Sequence, residues 1–430
     1  MIQNITPIEK LEAGKSVRIA GFIEKIRDTR YMVFVIFKDR SAKIQISIDK
    51  EKMPELTQQI LATSVGSFLK VEGVMVENPA VKLGGKEFVP EKIEVESVAD
   101  VYPIDAESNL DQRLNYRWLD LRSDKNLLLF QVKSCFLQGF REFLVSKGFI
   151  EINSPKIMGT ESESGAGVFE VKYYDTKAYL VQSPQFYKQM AIASGFERVF
   201  EIGPAFRAEK FSTNRHSSEF TSLDIEFANI DSYEDVMNME EELLVYCLTK
   251  IKNEYGEKIQ QLFGVEVQVP KRPFPRMRLQ DLYKEFEKYG YVVDDKEKID
   301  LTTEGERLAH RYAKEKFDND FIFVVDYPAD KRAFYHMRKE GKLQGYDLIW
   351  KGVEITTGAQ REHRYEEIKK QAKEKGLEKD VEFYLEFFKY GCPAHGGFGL
   401  GLSRMMMLLL DIATVKEVDF LFRGPNRITP

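Results

Sequence analysis

The sequence predicts an α+β protein made of a small N-terminal β-barrel and a larger domain whose antiparallel sheet is flanked by helices. Three observations carry that expectation. Residues 1–100 hold five strand-like runs separated by polar turns. Arg198 to Asn229 reads as a charged hairpin: Val199, Phe200, Ile202 and Phe206 precede a polar loop, and Leu223, Ile225 and Phe227 follow it, with no glycine or proline in the second run. Helical and strand-like apolar patterns then alternate to the end of the chain. At 430 residues and 43% apolar content the chain exceeds the usual single-domain size and can bury large cores.

In chain order, SVRIAGFIEKIRDTRYMVFVIFKDRSAKIQISIDK supplies three barrel strands, and SFLKVEGVMVENPA and KEFVPEKIEVESV supply two more, with a short helix at Pro54 to Thr63 between them. Five strands at this spacing fit an OB-fold, a barrel that binds single-stranded nucleic acid by stacking bases on aromatic side chains beside basic ones. Taken alone, Phe34 on its strand reads as a core residue rather than a stacking platform. Val101 to Asn126 is polar, carries a proline near its front, and is expected to be a hinge before a second domain at residues 127–430. From Leu127 to Lys147 the apolar Leu129, Val132, Phe136, Phe140 and Phe143 recur at three and four, which predicts an amphipathic helix stopped by Gly148. The strand FIEINSPKI follows. Met158 to Phe169 is a loop by composition, and AYLVQSP then leads as a strand into the helix QFYKQMAIASG.

Within the hairpin, alternation puts Arg207 and Glu209 on one face of the first arm and Asp224 and Glu226 on one face of the second, while the loop adds Arg215, His216 and Phe220. A solvated face laced with salt bridges would account for such charge on an ordinary antiparallel sheet. Ser232 to Leu343 reads as a helical insertion with three helices, the last starting at a threonine cap, and ends with a buried strand, FIFVV. In YDLIWKGVEITTGAQREH a regular strand puts Asp347, Ile349 and Lys351 on one side, and Asp347 and Glu354 are hard oxygen donors of the kind Mg²⁺ prefers. GGFGLGLSRMMMLLL is a glycine-alternating strand running into an apolar helix that carries Arg404. Its Gly397, Gly399 and Gly401 do not follow the dinucleotide-binding spacing, and the chain has no Walker A string.

Composition excludes other classes. A net charge of −6 argues against a sequence-independent nucleic-acid coat. Cys135, Cys247 and Cys392 are too few and too far apart for a disulfide framework or a zinc site, which fits a reducing compartment. No run of about 18 apolar residues occurs, so a cytoplasmic protein with no membrane partner is expected.

The run FRAEKFSTNRHSSEF resembles motif 2 of class II aminoacyl-tRNA synthetases, in the form used by the subclass of aspartate, asparagine and lysine enzymes: Phe-Arg-x-Glu, a loop, Arg-His, and a phenylalanine four residues after the histidine. The long helix and FIEINSPKI are similar to motif 1, which implies a homodimer. GGFGLGLSR is similar to motif 3, and RLNYRWLDLR matches a string that precedes the catalytic domain. QSPQFYKQ resembles the specificity segment of the aspartate enzymes, and the whole chain looks like their compact archaeal and eukaryotic type. The implied reaction is aspartate plus ATP giving aspartyl-adenylate and pyrophosphate, then transfer to tRNA(Asp).

By this resemblance Arg207 and Arg404 are the catalytic residues, Arg207 on the α-phosphate and the aspartate, Arg404 on the γ-phosphate. Guanidinium forks fixed where charge builds up suit that task, and no protein nucleophile is needed. Ala208, Glu209, Arg215, His216, Ser217, Phe220, Glu354, Gly401, Leu402 and Ser403 complete the ATP site, with Phe220 stacked on adenine. Asp347, Glu354 and Thr357 hold Mg²⁺. L-Aspartate is met by Glu163, Gln185, Phe186, Tyr187, Lys188, Thr357, Arg361 and His395; Lys188 faces its side-chain carboxylate, where an ammonium would leave a neutral amide unpaired. Arg27, Phe34 and Gln45 stand where relatives hold the anticodon. Two departures are Ser403, where many members have glutamate, and FRGPNRITP in place of a Phe-Pro-Arg-Asp tail; neither removes a phosphate ligand. An asparagine enzyme is disfavoured by Lys188, and a non-catalytic tRNA- or amino-acid-binding paralogue by the presence of Arg207, Arg404 and the acid pair. In the turn Glu77 to Glu87 no side chain clearly rejects the asparagine anticodon. Charging of tRNA(Asn), with a downstream amidotransferase to complete it, therefore stays open.

Overall fold

The computed structural model describes residues 5–160, 167–210, 213–294, 296–329 and 332–430. Two compact units divide the chain, Met1–Leu121 and Arg122–Pro430.

In the first unit, β1 (Ser16–Asp28), β2 (Met32–Lys38), β3 (Lys43–Asp49), β4 (Phe68–Glu77) and β5 (Lys86–Ser97) close into a barrel of order β1-β2-β3-β5-β4. Period-two burial sorts the side chains: Val33, Val35 and Phe37 of β2 are fully buried, so Phe34 and Ile36 point outward. The phase of β2 thus removes Phe34 from the core. Arg27 lies opposite Phe34 in the β1–β2 register, its guanidinium 4.6 Å from the ring centre, and Gln45 pairs with Ile36 across β3. Helix α1 (Pro54–Leu61) opens on a proline and buries Ile60 in the barrel core. The stretch expected as a hinge contains two short helices, Leu110–Asn115 and Arg117–Asp120.

The second unit is built on an eight-stranded sheet. Its strands are β6 (Ile150–Glu151), β7 (Arg198–Phe206), β8 (Glu219–Ala228), β9 (Arg276–Arg278), β10 (Phe321–Val325), β11 (Gly345–Trp350), β12 (Val353–Gln360) and β13 (His395–Gly401), in the order β9-β10-β11-β12-β13-β8-β7-β6. All central pairs are antiparallel, and the outermost pair at each end is parallel. One face is covered by α2 (Asp124–Ser146), capped by the Ser123 hydroxyl, and by α4 (Tyr233–Phe263), which ends at Gly264 in the left-handed conformation, φ 73°. Phe136 and Phe140 of α2, Leu244 and Leu248 of α4, and Phe200, Leu223, Ile225, Phe398 and Leu400 of the sheet form one buried cluster. Because side chains alternate, Asp224 and Glu226 stand on the opposite face. Three more helices border that face or the strand ends: α3 (Gln185–Ala193), α6 (Thr303–Phe317) and α7 (Leu402–Leu409), with α5 (Leu279–Glu287) packed beside α6.

Several expectations about local structure change. Residues 232–343 are no separate insertion, because they contribute β9 and β10 to the main sheet and α4 to its core. The first hairpin arm ends at Phe206, so Arg207 and Glu209 lie just beyond it, and Phe220 is the second residue of β8 and not part of the loop. Lys351 sits with Gly352 in the tight turn between β11 and β12, both with positive φ, and so leaves the strand face. No helix among the described residues is long and apolar enough to cross a membrane.

Candidate active site

One row of side chains crosses the sheet in register: Asp347 of β11, Thr357 of β12, Gly399 of β13, Asp224 of β8 and Glu201 of β7. Gly399 opens a gap in the middle of that row, since a Cβ there would lie 3.1 Å from Asp224 Oδ1. The gap forms part of the wall of a cavity of about 410 Å³ that also receives Gln185, Arg207, Arg215, His216, Phe220, Glu354, Arg361 and Arg404.

At one side of the cavity the cations gather. Arg207 lies 5.4 Å from the Phe220 ring centre, and its buried Nε has no hydrogen-bond partner among the described residues. A buried donor left open in this way suits an anion. Arg404 donates from Nη1 to the Glu354 carbonyl (2.9 Å), from Nε to the Arg215 carbonyl (3.3 Å) and from Nη2 to His216 Nε2 (3.2 Å). Arginine can only donate, so His216 accepts at Nε2 and carries its proton on Nδ1, toward Thr213 Oγ1. Burial, reinforced by Arg404, holds the His216 imidazole below its usual range and therefore neutral. Arg215 is gripped by α6, with Nη1 on Glu306 Oε2 (2.5 Å) and Nη2 on Thr303 Oγ1 (2.8 Å).

The two acids sit opposite. Glu354 and Thr357 are three residues apart and would point to opposite faces of a regular strand. A bulge between Leu348 and Ile349 of the β11–β12 register accommodates Ile355 as an extra residue, and Glu354 returns to the face of Asp347 and Thr357. Asp347 Oδ1 and Glu354 Oε1 lie 2.9 and 3.0 Å from the same Thr357 hydroxyl. Burial pushes the Asp347 carboxyl up to about 6 although Arg332 pairs with it, whereas at Glu354 burial is outweighed by Arg404 and Arg332, which hold its carboxyl low. Among the described residues no three His, Cys, Asp or Glu side chains cluster as a complete metal cage. Two converging carboxylates do fit Mg²⁺, which commonly keeps several waters and completes its octahedron with substrate phosphates.

Deeper in, α3 presses Lys188 against the sheet. Lys188 is 0% exposed; its Nζ lies 2.9 Å from Asp224 Oδ1 and 3.3 Å from Glu226 Oε2, and it donates to the Ile225 and Phe398 carbonyls. Arg361 donates from Nε to Glu226 Oε1 (3.0 Å) and from Nη2 to the Gly397 carbonyl (2.9 Å). Burial alone would raise the Glu226 carboxyl, but Arg361 and Lys188 outweigh it and keep it ionised. Gly397 is required here, because a Cβ would stand 2.0 Å from the Ile225 carbonyl oxygen. His395 is fully buried; Nδ1 donates to the Pro393 carbonyl (2.8 Å) and Nε2 accepts from Gln189 Nε2 (2.9 Å), while Gln189 Oε1 accepts from Tyr384 and Gln185.

The structure therefore brings Arg207, Arg215, His216, Phe220, Glu354, Thr357, Arg361, Gly401, Ser403, Arg404 and Gln185 to one cavity, with Asp347 against Thr357. Lys188 and His395 lie in the buried layer behind it, and Phe186 packs among Phe334, Tyr335 and Tyr384. Ala208 donates its backbone N–H to the Gly167 carbonyl, Tyr187 is half-buried, and Leu402 belongs to the core. Glu163 falls outside the described residues. Sequence reasoning missed Glu306 and Thr303, Arg332 on Asp347, Gln189 under His395, and Asp419, whose carboxylate accepts from both Ser217 and Ser403. These partners are far apart in the chain and leave no local pattern.

The buried imidazole has a measurable consequence. Burial pushes His395 down to about 4, and burial likewise holds His336 well below its usual range. Between pH 6.5 and about 4 the unfolded chain takes up a proton at His395 that the folded protein refuses. Stability must therefore fall as pH falls through that window, by at most about 1.4 kcal/mol per pH unit from this residue. Urea-unfolding midpoints of the protein and of His395→Gln should diverge there; parallel curves would show that His395 is protonated when folded.

A family model for class II tRNA synthetases (D, K and N) matches residues 109–423, and one for the OB-fold nucleic acid binding domain matches 17–96. The chain belongs to the class II tRNA synthetases. Within them it falls in the family of the D, K and N enzymes, with an N-terminal OB-fold. It is 41% identical over 441 residues to an aspartate–tRNA(Asp/Asn) ligase of Aeropyrum pernix, covering 100% of this chain and 99% of the relative. It is 39% identical to an aspartate–tRNA(Asp) ligase of Pyrococcus abyssi, with 97% of each chain covered. Among solved structures, an asparaginyl-tRNA synthetase from Pyrococcus horikoshii complexed with asparaginyl-adenylate superposes with a TM-score of 0.92 at 30% identity, covering 100% of both chains. An aspartyl tRNA synthetase from Entamoeba histolytica gives 0.88 at 30% identity over 99% of this chain and 93% of that one.

Proposed function

We propose that this chain is an aspartate–tRNA ligase that activates L-aspartate with ATP and charges tRNA(Asp). The observation that carries the reading is the buried Lys188, delivered by the QSPQFYKQ helix to the layer that also holds Arg361. In the reaction proposed, the aspartate carboxylate attacks the α-phosphorus of ATP and pyrophosphate leaves. Arg207 would take the α-phosphate charge at its open Nε, and Arg215, His216 and Arg404 the distal phosphates. Asp347 and Glu354, with Thr357 beside them, would hold Mg²⁺, which would supply charge neutralisation at the phosphates. Lys188 and Arg361 would set the electrostatics of the aspartate pocket, and Arg361 would meet the substrate carboxylate from the cavity side. Catalysis on this reading is positioning and fixed charge, with no covalent enzyme intermediate. Arg27, Phe34 and Gln45, on the outer side of the barrel, would receive the anticodon. Motif 1 supports a homodimer, and the composition supports a cytoplasmic location. Pyrophosphate exchange with each of the twenty amino acids tests the reading; exchange driven by asparagine and not aspartate would replace it with the asparagine reading, which the similarity in fold to the asparaginyl enzymes supports.

The two tRNAs for aspartate and asparagine share the first two anticodon bases, so discrimination falls to the third. The turn Glu77 to Glu87 is tied back to the anticodon face: Asn78 donates to Glu87 Oε1 (2.9 Å), Ser47 donates to Glu87 Oε2, and Gln45 donates to Ser47 Oγ (3.1 Å). These bonds engage Asn78 and Glu87 of the turn within the protein, which supports a reading in which neither side chain excludes a third base. We expect both transcripts to be charged with aspartate, the second for later amidation by a partner enzyme. A catalytic efficiency for tRNA(Asn) about a thousandfold below that for tRNA(Asp), roughly 4 kcal/mol, would establish strict aspartate charging instead.

A further inference from the structure

The first turn of helix α6 contacts Arg215 and Glu354, two residues of the cavity wall. Its N-cap, Thr302, accepts from Gly305 N–H at 3.0 Å, which fixes the turn on which Thr303 and Glu306 project. Glu306 joins two elements that are distant in sequence. Its Oε2 accepts from Arg215 Nη1 at 2.5 Å and from the Glu354 backbone N–H at 3.2 Å. Arg404 closes the ring by donating to the Glu354 and Arg215 carbonyls. The Arg215 and Glu306 side chains are only 20% and 12% exposed.

We propose that Glu306 is a positioning residue for the nucleotide: it holds the Arg215 guanidinium in the plane from which it meets the distal phosphates of ATP, and it holds the strand that carries Glu354. This rests on the ATP site described under Proposed function. Arg215 stands on a loop, and an arginine side chain loses rotamer freedom when it is ordered. Ordering it before ATP arrives removes that term from binding. Glu306 and Thr303 take one nitrogen each and so fix the guanidinium plane, and among the described residues three of its five N–H groups stay open to a ligand. A salt bridge that only pinned α6 to the loop would need neither the second bond to Glu354 nor any link to ATP.

The test is a double-mutant cycle on the full-length protein, with the dissociation constant of MgATP read by calorimetry and the aspartate KM by pyrophosphate exchange. Glu306→Ala is expected to weaken ATP about tenfold, to leave the aspartate KM within twofold, and to have no further effect in the Arg215→Ala background. Glu306→Gln, which keeps an acceptor at the same reach, should recover most of the loss. Should Glu306→Ala lack a cooperative melting transition, Glu306→Asp replaces it, since its shorter arm falls short of Arg215; at least threefold weakening that vanishes in Arg215→Ala is then expected. Unchanged ATP affinity, or losses that multiply in the double variant, overturn the proposal. Coupled ATP binding without amino-acid activation would instead overturn the ligase reading alone, and no ATP binding at all would overturn both.

Discussion

Lys188→Leu is expected to abolish most aspartate activation, lowering aspartate-dependent pyrophosphate exchange at least a hundredfold, or about 3 kcal/mol. The magnitude follows from where the ammonium sits. Lys188 is fully buried between Asp224 and Glu226. Its loss leaves Glu226 with Arg361 and the Gln185 amide and Asp224 with the Ser222 hydroxyl, and breaking a buried pair on one side costs about 3–5 kcal/mol of stability. The variant should thus melt early as well as react poorly. The two effects separate experimentally: exchange is measured at a temperature where circular dichroism shows the variant folded. A folded Lys188→Leu protein with unchanged aspartate-dependent exchange would remove Lys188 from specificity.

Arg207→Ala and Arg404→Ala should each slow single-turnover adenylate formation by about a hundredfold or more, roughly 2.7 kcal/mol, as expected when a donor aimed at developing charge is removed. Their stabilities should differ. Among the described residues Arg207 Nε has no partner, so truncation strands no acceptor at that nitrogen. Arg404 satisfies the Glu354 and Arg215 carbonyls and His216, so its loss should lower the unfolding free energy by about 1 kcal/mol or more. Wild-type single-turnover rates in either variant would place that arginine outside the chemistry.

Much of this site was legible in order along the chain, and the illegible part has a common cause. Arg207, Arg215, His216 and Phe220 belong to one short string, and Asp224 and Glu226 share a face by simple alternation. Alternation also misled where the chain departs from regularity: the arm stops at Phe206, Phe220 belongs to a strand, and Lys351 turns away. Glu306 is 91 residues from Arg215, and Asp419 is 202 from Ser217, so nothing local ties them together. Lys188 was marked as a specificity residue, but its complete burial depends on how α3 packs against β8 and β13, which no single segment encodes. The helices between Ser232 and Leu343 were readable as helices, whereas the short β9 was too brief to register as a strand of the central sheet.

The extra residue in β12 makes spacing itself a functional quantity. Ile355 contributes nothing polar, and its side chain is buried in the core. Yet with one residue fewer, Glu354 would face the helices beneath the sheet while Thr357 and Asp347 stayed above it. A substitution at Ile355 asks only whether another apolar group fits, whereas a deletion there dismantles the acid pair without touching either acid. A one-residue deletion at Ile355 is accordingly far more damaging than an apolar exchange at that position, and an alignment that closes a gap across this stretch would pair the wrong carboxylate.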